Sequence, residues 1–379
     1  MELGKDRKFL VLQGGGALGA YQAGAYEALH KGGVRPEWIA GISIGAINSA
    51  IIAGSPVEKR IENLHRFWDM VSDGPKALMA ETGDVTRKWL NEYSAAYNAL
   101  TGVQGFYVPR GIMPWQYLTD SEARISYYDT TPLIETLESL VDFDLINHRA
   151  VRLSLGAVDV VSGNFEYFDN FPSSQHRQPT EFTARHVAAS GALPPGFPPV
   201  QIDDRYYWDG GLVSNTPFQW VLDERRTTDD ICVFQVDLFS AQGRMPEDMS
   251  DVLAREKEIR FSSRTRLNTD EAKQKQKYRK ALARVLSLVP EEFRDDKDFR
   301  FLSRPEDLGA VTAVHLIYRR KNYETHTMDN EFSRLTMEEH WRAGYDDVMD
   351  TLNSPQWLNR VIPSEGFVSI DHHREIART

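Results

Sequence analysis

Two glycine-rich turns near the start of the chain constrain its fold more than any other feature. The apolar run from Phe9 to Gln13 predicts a short buried strand, and three glycines and a helical pattern follow it directly. The same order then repeats, since a strand predicted from Trp38 to Ile42 leads into a helix of small residues from Ile44 to Ala53. Two successive strand–turn–helix units predict the opening of a parallel α/β sheet.

Later segments extend this pattern with further strands and helices. Short apolar or alternating runs predict strands at Arg152–Val160, Phe165–Phe168, Arg205–Trp208, Ile231–Asp237 and Val311–Tyr318, the first two of them paired with each other. Helical patterns are predicted at Glu58–Val71, Thr180–Ser190, 247–289 and Asn330–Leu352. Strands alternating with helices are typical of an α/β domain.

The chain is expected to divide near residue 240. Residues 1–240 carry most of the strand patterns and are predicted to form a catalytic domain, and residues 241–379 are predicted to form a mainly helical C-terminal extension. Within the first part, residues 73–129 are rich in Gly, Pro, Tyr and Trp and show weak periodicity. We interpret them as a lid-like insertion.

Composition excludes several classes of protein. A net charge of -11 argues against nucleic-acid binding, because phosphate contacts need a basic face. The single cysteine, Cys232, lies in an apolar strand pattern, so it is predicted to be buried and no internal disulfide is expected. No secretory signal pattern and no run of about 18–20 apolar residues is found, so a soluble cytoplasmic protein is predicted.

A candidate nucleophile lies in the second glycine turn. Gly41-Ile42-Ser43-Ile44-Gly45 matches G-x-S-x-G between a predicted strand and a predicted helix, which is the setting of a nucleophile elbow. The N-terminus of the following helix would direct its amides and its positive dipole end at a negative charge forming near Ser43. The alternative is a tight turn in which the serine only caps the helix.

The first glycine turn is a candidate oxyanion hole. Gly14, Gly15 and Gly16 follow a strand and open a helix, so their amides can converge on an anion. The loop also matches the dinucleotide-binding pattern G-x-G-x-x-G, which expects an acidic residue at the end of the next strand. That strand ends instead in the turn of Ser43, which favours the oxyanion hole.

A serine hydroxyl needs a base to accept its proton. None of the ten histidines lies in a glycine-framed turn, whereas Asp209 does, in Trp208-Asp209-Gly210-Gly211. Asp209 is therefore the candidate base. Two alternatives stay open, an ordinary turn at this position and an α/β-hydrolase triad of Ser43, a later aspartate, and His315 or His326.

These blocks, in this order, resemble the patatin-like phospholipase family over about residues 8–240. The stretch Ala189–Pro199, with its Ala-Ser start and Phe-Pro-Pro end, resembles the block that precedes the family's aspartate, and Asn215 and Pro217 resemble its continuation. The resemblance implies a three-layer α/β/α fold with a mostly parallel central sheet. It also implies a lipid acyl-ester hydrolase with Ser43 as nucleophile, Asp209 as base without histidine, and oxyanion amides from Gly14, Gly15 and Gly16. No cofactor or metal is implied.

The chain departs from the family pattern at one position, since Leu18 stands where the family loop often carries Arg or Lys. With its helical C-terminal extension, the chain is similar to a bacterial subgroup that has been linked to 3-hydroxybutyrate metabolism. That likeness makes hydroxybutyrate esters or oligomers an alternative substrate and a 3-hydroxybutyrate dehydrogenase a conceivable partner. A homo-oligomer is a further possibility.

The most polarised segment lies between residues 255 and 284, where eleven Lys or Arg accompany four Asp or Glu. It can be a solvated helix that offsets acidic surface elsewhere, a site of peripheral association with an anionic membrane, or a site for an acidic partner. Asp371-His372-His373, at the C-terminal end, has no clear partner ligands and is interpreted as a solvated tail rather than a metal site.

Overall fold

The strands of this computed structural model lie close to the predicted positions. It describes residues 6–74, 83–111, 114–116, 122–225, 228–303, 309–361 and 366–371, without the side chains of 122 and 263–267. His372 and His373 lie outside these ranges. The strands are β1 (Arg7–Leu12), β2 (Trp38–Gly41), β3 (Val108–Pro109), β4 (Tyr128–Asp129), β5 (Arg152–Asp159), β6 (Phe165–Asp169), β7 (Val200–Ile202), β8 (Arg205–Asp209), β9 (Ile231–Asp237), β10 (Val311–Ile317) and β11 (Phe367–Ile370).

The helices alternate with these strands along most of the chain. They are α1 (Gly19–Lys31), α2 (Ile44–Ala53), α3 (Arg60–Val71), α4 (Asp84–Thr101), α5 (Thr131–Leu140), α6 (Phe143–Asn147), α7 (Ala184–Ser190), α8 (Phe218–Glu224), α9 (Met249–Ser287), α10 (Lys297–Leu302), α11 (Arg334–Asn353) and α12 (Pro355–Leu358). In the described ranges, no helix combines the length and the apolar character that crossing a membrane requires.

Two predicted helices begin four residues later than their patterns indicated. The helix predicted from Thr180 begins at Ala184, because Thr183 and His186 form a capping box at its N-terminus. The helix predicted from Asn330 begins at Arg334, because the side chain of Ser333 accepts a hydrogen bond from the amide of Thr336. Capping side chains therefore set both starts.

Within the described ranges, nine strands form one sheet in the order β11-β10-β9-β1-β2-β5-β8-β7, with β6 paired to β5 outside this path. The pairs that join β11 through β5 are parallel, and β6, β7 and β8 pair antiparallel. The predicted pairing of β6 with β5 is confirmed. Because the parallel strands are buried on both faces, they read as apolar runs.

Alternate residues of β1 pack into two separate hydrophobic cores. Leu10 and Leu12 belong to the core that includes residues of α1, α2 and α11. Phe9 and Val11 belong to the core that includes residues of α8 and α9. Helices thus cover both faces of a mostly parallel sheet, which confirms the predicted three-layer fold. Cys232, in β9, is buried as predicted.

The C-terminal part of the chain packs directly against the N-terminal part. It is mainly helical, but β10 and β11 extend the same sheet beyond β9. Its helix α11 also approaches α1 closely, since a Cβ on Gly24 would lie 1.9 Å from the carbonyl oxygen of Trp341. The sheet therefore crosses the boundary predicted near residue 240.

Candidate active site

Ser43 occupies a strained turn between β2 and α2. Its backbone has φ 57° and ψ -125°, a conformation that a residue with a side chain rarely adopts. The two flanking glycines are required for space, because a Cβ on Gly41 would lie 2.3 Å from the carbonyl oxygen of Gly45 and one on Gly45 would lie 2.4 Å from that of Leu12. This is the geometry of a nucleophile elbow.

The strands β2 and β8 lie end to end along one edge of β5. A strand can pair along two edges only. Because β6 pairs with residues of β5 that also pair with β2 or with β8, β6 must occupy the other edge of β5. Gly41, at the end of β2, is opposite Leu155. Asp209, at the end of β8, is opposite Ala157. Only Gly156 of β5 separates the two strand ends, so the turns that follow them open at the same place.

Asp209 is buried beside Ser43, with 2% of its surface exposed. Burial raises the pKa of Asp209 to about 6, and hydrogen bonds from the Ser43 hydroxyl and the Gly211 amide oppose this rise. The Gly211 amide donates to Asp209 Oδ1 at 2.6 Å. A carboxylate beside a serine hydroxyl is placed to accept the proton of that hydroxyl.

The glycine loop lies against both turns. The amide of Gly14 donates to the carbonyl oxygen of Asn215 at 3.2 Å, and Asn215 Nδ2 donates back to the carbonyl oxygen of Gly14 at 2.9 Å. Within the described ranges, the amides of Gly15 and Gly16 have no such backbone acceptor. Of the three predicted oxyanion donors, Gly15 and Gly16 are therefore the ones available to a ligand.

A loop from the C-terminal part holds Gly16 in place. Gly16 has φ 55°, and a Cβ there would lie 2.1 Å from the carbonyl oxygen of Asp329, in the short 3-10 helix Met328–Asn330. Lys257 Nζ, from α9, donates to both carboxylate oxygens of Asp329 at 2.8 and 2.9 Å. This contact could not be predicted from the motifs, because nothing in the motif blocks points to residues so far along the chain.

Gln13 is a second residue that the motif analysis did not identify. It is fully buried at the end of β1, and its Nε2 donates to Thr216 Oγ1 at 3.0 Å and to the carbonyl oxygen of Phe261 at 3.1 Å. Its Oε1 accepts from the amide of Leu238 at 2.6 Å. A polar side chain that ends an apolar strand and precedes three glycines is the signal that could have singled it out.

A cavity of about 500 Å³ opens over these residues. Ser43, Asp209, Gly15 and Gly16 lie in its wall together with Asn215. Most of the remaining wall is apolar and comes from several parts of the chain: Ile44, Ile47, Ala95, Ala96, Ala99, Phe106, Tyr107, Tyr128, Leu193, Phe197, Phe239, Phe261 and Phe332. The arrangement combines a serine hydroxyl, a carboxylate and two amides with room for an apolar chain.

The described residues place no histidine in the lining of this cavity. His315 lines a different cavity, which also includes Asp237. The Nδ1 of His326 lies 3.3 Å from Ser250 Oγ. The described ranges also contain no group of three or more His, Cys, Asp or Glu residues arranged to hold a metal ion.

Two family models match the chain on either side of residue 240. A model described as patatin-like phospholipase matches residues 10–222, and one described as patatin phospholipase matches residues 259–364. The uncharacterized protein YqhO of Bacillus subtilis strain 168 is 28% identical over 232 residues, which cover 57% of this chain and 67% of that protein.

Two solved structures are also similar to the chain. VipD from Legionella pneumophila aligns with a TM-score of 0.40 and 16% identity, over 98% of this chain and 73% of VipD. Human GIVD cytosolic phospholipase A2 aligns with a TM-score of 0.34 and 13% identity, over 61% of this chain and 43% of that enzyme.

Proposed function

Since the chain belongs to the patatin-like phospholipase family and is thus a lipid ester hydrolase, we propose that Ser43 and Asp209 form its catalytic dyad. In this proposal, the amides of Gly15 and Gly16 form the oxyanion hole. The observation that carries it is the strained Ser43 turn beside a buried Asp209 in the wall of an apolar cavity.

The catalytic cycle follows from these positions. Ser43 Oγ attacks the carbonyl carbon of the ester as its proton passes to the Asp209 carboxylate. The oxygen that becomes negative in the tetrahedral intermediate is held by the two amides. As the intermediate collapses, Asp209 returns the proton to the leaving alcohol and the acyl group stays on Ser43. Water then attacks the acyl-serine and loses a proton to Asp209. As this second intermediate collapses, the bond between the acyl group and Ser43 Oγ breaks, Asp209 returns the proton to Ser43 Oγ, and the free acid is released.

The cavity wall supports an acyl chain as the group that is bound. Aromatic rings dominate one side, where Phe197 lies 5.2 Å from Tyr107 and 5.9 Å from Phe106 between ring centroids. Apolar walls favour hydrocarbon over the repeated ester groups of a hydroxybutyrate oligomer. The hydroxybutyrate substrate, the dehydrogenase partner and the homo-oligomer stay predictions.

A hydrolysis panel tests this proposal. Wild type and Ser43→Ala are assayed with p-nitrophenyl esters of increasing chain length, with phospholipids and with hydroxybutyrate oligomers. We expect hydrolysis of acyl esters by wild type and a loss of at least about 10³-fold in kcat for Ser43→Ala, because the nucleophile is absent. Ser162→Ala, on an exposed turn, is the matched control and should retain full activity. Equal activity in Ser43→Ala would overturn the assignment.

A further inference from the structure

Helix α4 carries an apolar stripe on its outer face. Val85, Trp89, Tyr93 and Leu100 are 75%, 72%, 66% and 78% exposed. They are spaced four, four and seven residues apart, so they follow one side of a helix with 3.6 residues per turn. Four large apolar side chains aligned on one exposed face are typical of an interaction surface rather than of scattered surface residues.

This stripe adjoins the wall of the active-site cavity. Glu92, Ala95, Ala96 and Ala99 of the same helix line the cavity. Ala96 follows Trp89 by two turns and lies within about 20° of it around the helix axis. The outer stripe therefore begins where the cavity lining ends, and an apolar surface runs from the outside of α4 to the cavity.

The opposite side of α4 is fixed to the body of the protein. Arg87 is buried and donates to Glu339 Oε2 at 2.9 Å and to Thr336 Oγ1 at 3.0 Å, both on α11. Near the other end, Asn98 Nδ2 donates to the carbonyl oxygen of Asn330 at 3.2 Å. These contacts hold the stripe in an outward orientation.

We propose that this stripe docks the protein onto the surface of uncharged or zwitterionic lipid, with the cavity mouth facing the lipid. The proposal rests on the proposed function, because a lipid ester hydrolase takes its substrate from a lipid surface. Trp and Tyr are the side chains that favour a membrane–water interface, since each joins an apolar ring to a polar tip. A net charge of -11 opposes approach to an anionic surface, whereas burial of apolar side chains needs no opposite charge.

Vesicle sedimentation tests the docking surface. The Ser43→Ala protein, which needs no catalysis to bind, is mixed with phosphatidylcholine vesicles at low and high salt. The same measurement is made after adding Trp89→Ser, Tyr93→Ser and Leu100→Ser. We expect at least about tenfold weaker partitioning for the multiple variant and little effect of salt. The matched control is Val161→Ser with Leu288→Ser, which removes side chains 89% and 82% exposed elsewhere.

Four results would overturn the proposal. The first is that the Ser43→Ala protein does not bind the vesicles, and the second is that the multiple variant binds them equally well. The third is that binding disappears at high salt, and the fourth is that the control pair weakens binding as much as the multiple variant does. A fifth result comes from sedimentation velocity without lipid. If the Ser43→Ala protein is a dimer and the multiple variant is a monomer, the stripe binds a second copy of the chain instead of lipid. If circular dichroism shows that the multiple variant is unfolded, Trp89→Ser alone is used. None of these results depends on Ser43 being the nucleophile.

Discussion

At the residue scale, the proposed chemistry depends on a carboxylate that works in an apolar setting. An exposed aspartate is too weak a base to accept a serine proton effectively at neutral pH. Burial raises the pKa of Asp209 and so makes its carboxylate a stronger base, because the charged form loses solvation when water is removed. The Gly211 amide limits that shift and fixes the position of Oδ1.

The raised pKa of Asp209 predicts the acid limb of the pH profile. The base must be ionised to accept the serine proton, so kcat/KM should fall tenfold per pH unit below about pH 6 and reach a plateau above about pH 7. A pH series with a soluble ester measures this limb. A limb near pH 4, the range of an ordinary carboxyl group, would contradict the burial argument.

The same shift predicts that Asp209→Asn stabilises the fold. The pKa of Asp209 is higher in the folded protein than in the unfolded chain. The ionised carboxylate therefore destabilises the folded protein above about pH 6, and this effect is absent below about pH 3, where the group is protonated in both states. Replacing the carboxylate should raise the free energy of unfolding by up to about 3 kcal/mol at pH 8. Urea unfolding of both proteins at pH 8 and at pH 3 measures the difference. A variant that is less stable at pH 8 than wild type would contradict this account.

At the element scale, the glycine turns could be predicted from sequence because each needs a backbone that side chains obstruct. Gly41 and Gly45 are sterically required, and the pattern around Ser43 already indicated this. The end-to-end meeting of β2 and β8 could not be predicted, because it depends on which edge of β5 each strand takes. The contact of Asp329 with Gly16 could not be predicted either, because it joins elements more than 300 residues apart.

Gly16→Ala tests the link between that loop and catalysis. A methyl group at φ 55° would strain the backbone and collide with the carbonyl oxygen of Asp329, which displaces the proposed oxyanion amides. We expect kcat to fall by about 10²-fold or more. Gly163→Ala is the matched control, since Gly163 has φ 68° with nothing within 4 Å of its Cβ. Equal losses in the two variants would show that backbone strain alone is responsible.

At the scale of the whole molecule, the C-terminal part completes the fold rather than extending it. It supplies two strands of the sheet, the partner of α1 and part of the cavity wall. The long helix within it carries the basic segment 255–284, where Lys257, Arg260 and Lys275 form ion pairs with Asp329, Glu256 and Asp223. These pairs favour the solvated helix among the three predictions for that segment, and anionic-membrane association stays a prediction.

A chain that ends at residue 240 should therefore fail to fold as a soluble monomer. It would expose the edge of β9 and the buried side chain of Tyr21 on α1, whose ring packs against Tyr318. Solubility and cooperative thermal unfolding of residues 1–240 measure this. A chain that lacks only residues 372–379 is the control and should behave as wild type. Cooperative unfolding of the 1–240 fragment would instead support the predicted domain boundary.

Active-site labelling with a fluorophosphonate tests the central claim most directly, because the probe reacts only with an activated serine. We expect the label on the peptide that contains Ser43, no labelling of Ser43→Ala, and labelling of Asp209→Asn slowed by about 10²-fold or more. His315→Ala and His326→Ala should react at the wild-type rate. A label on another serine, or a loss of reactivity in either histidine variant equal to that of Asp209→Asn, would contradict the dyad.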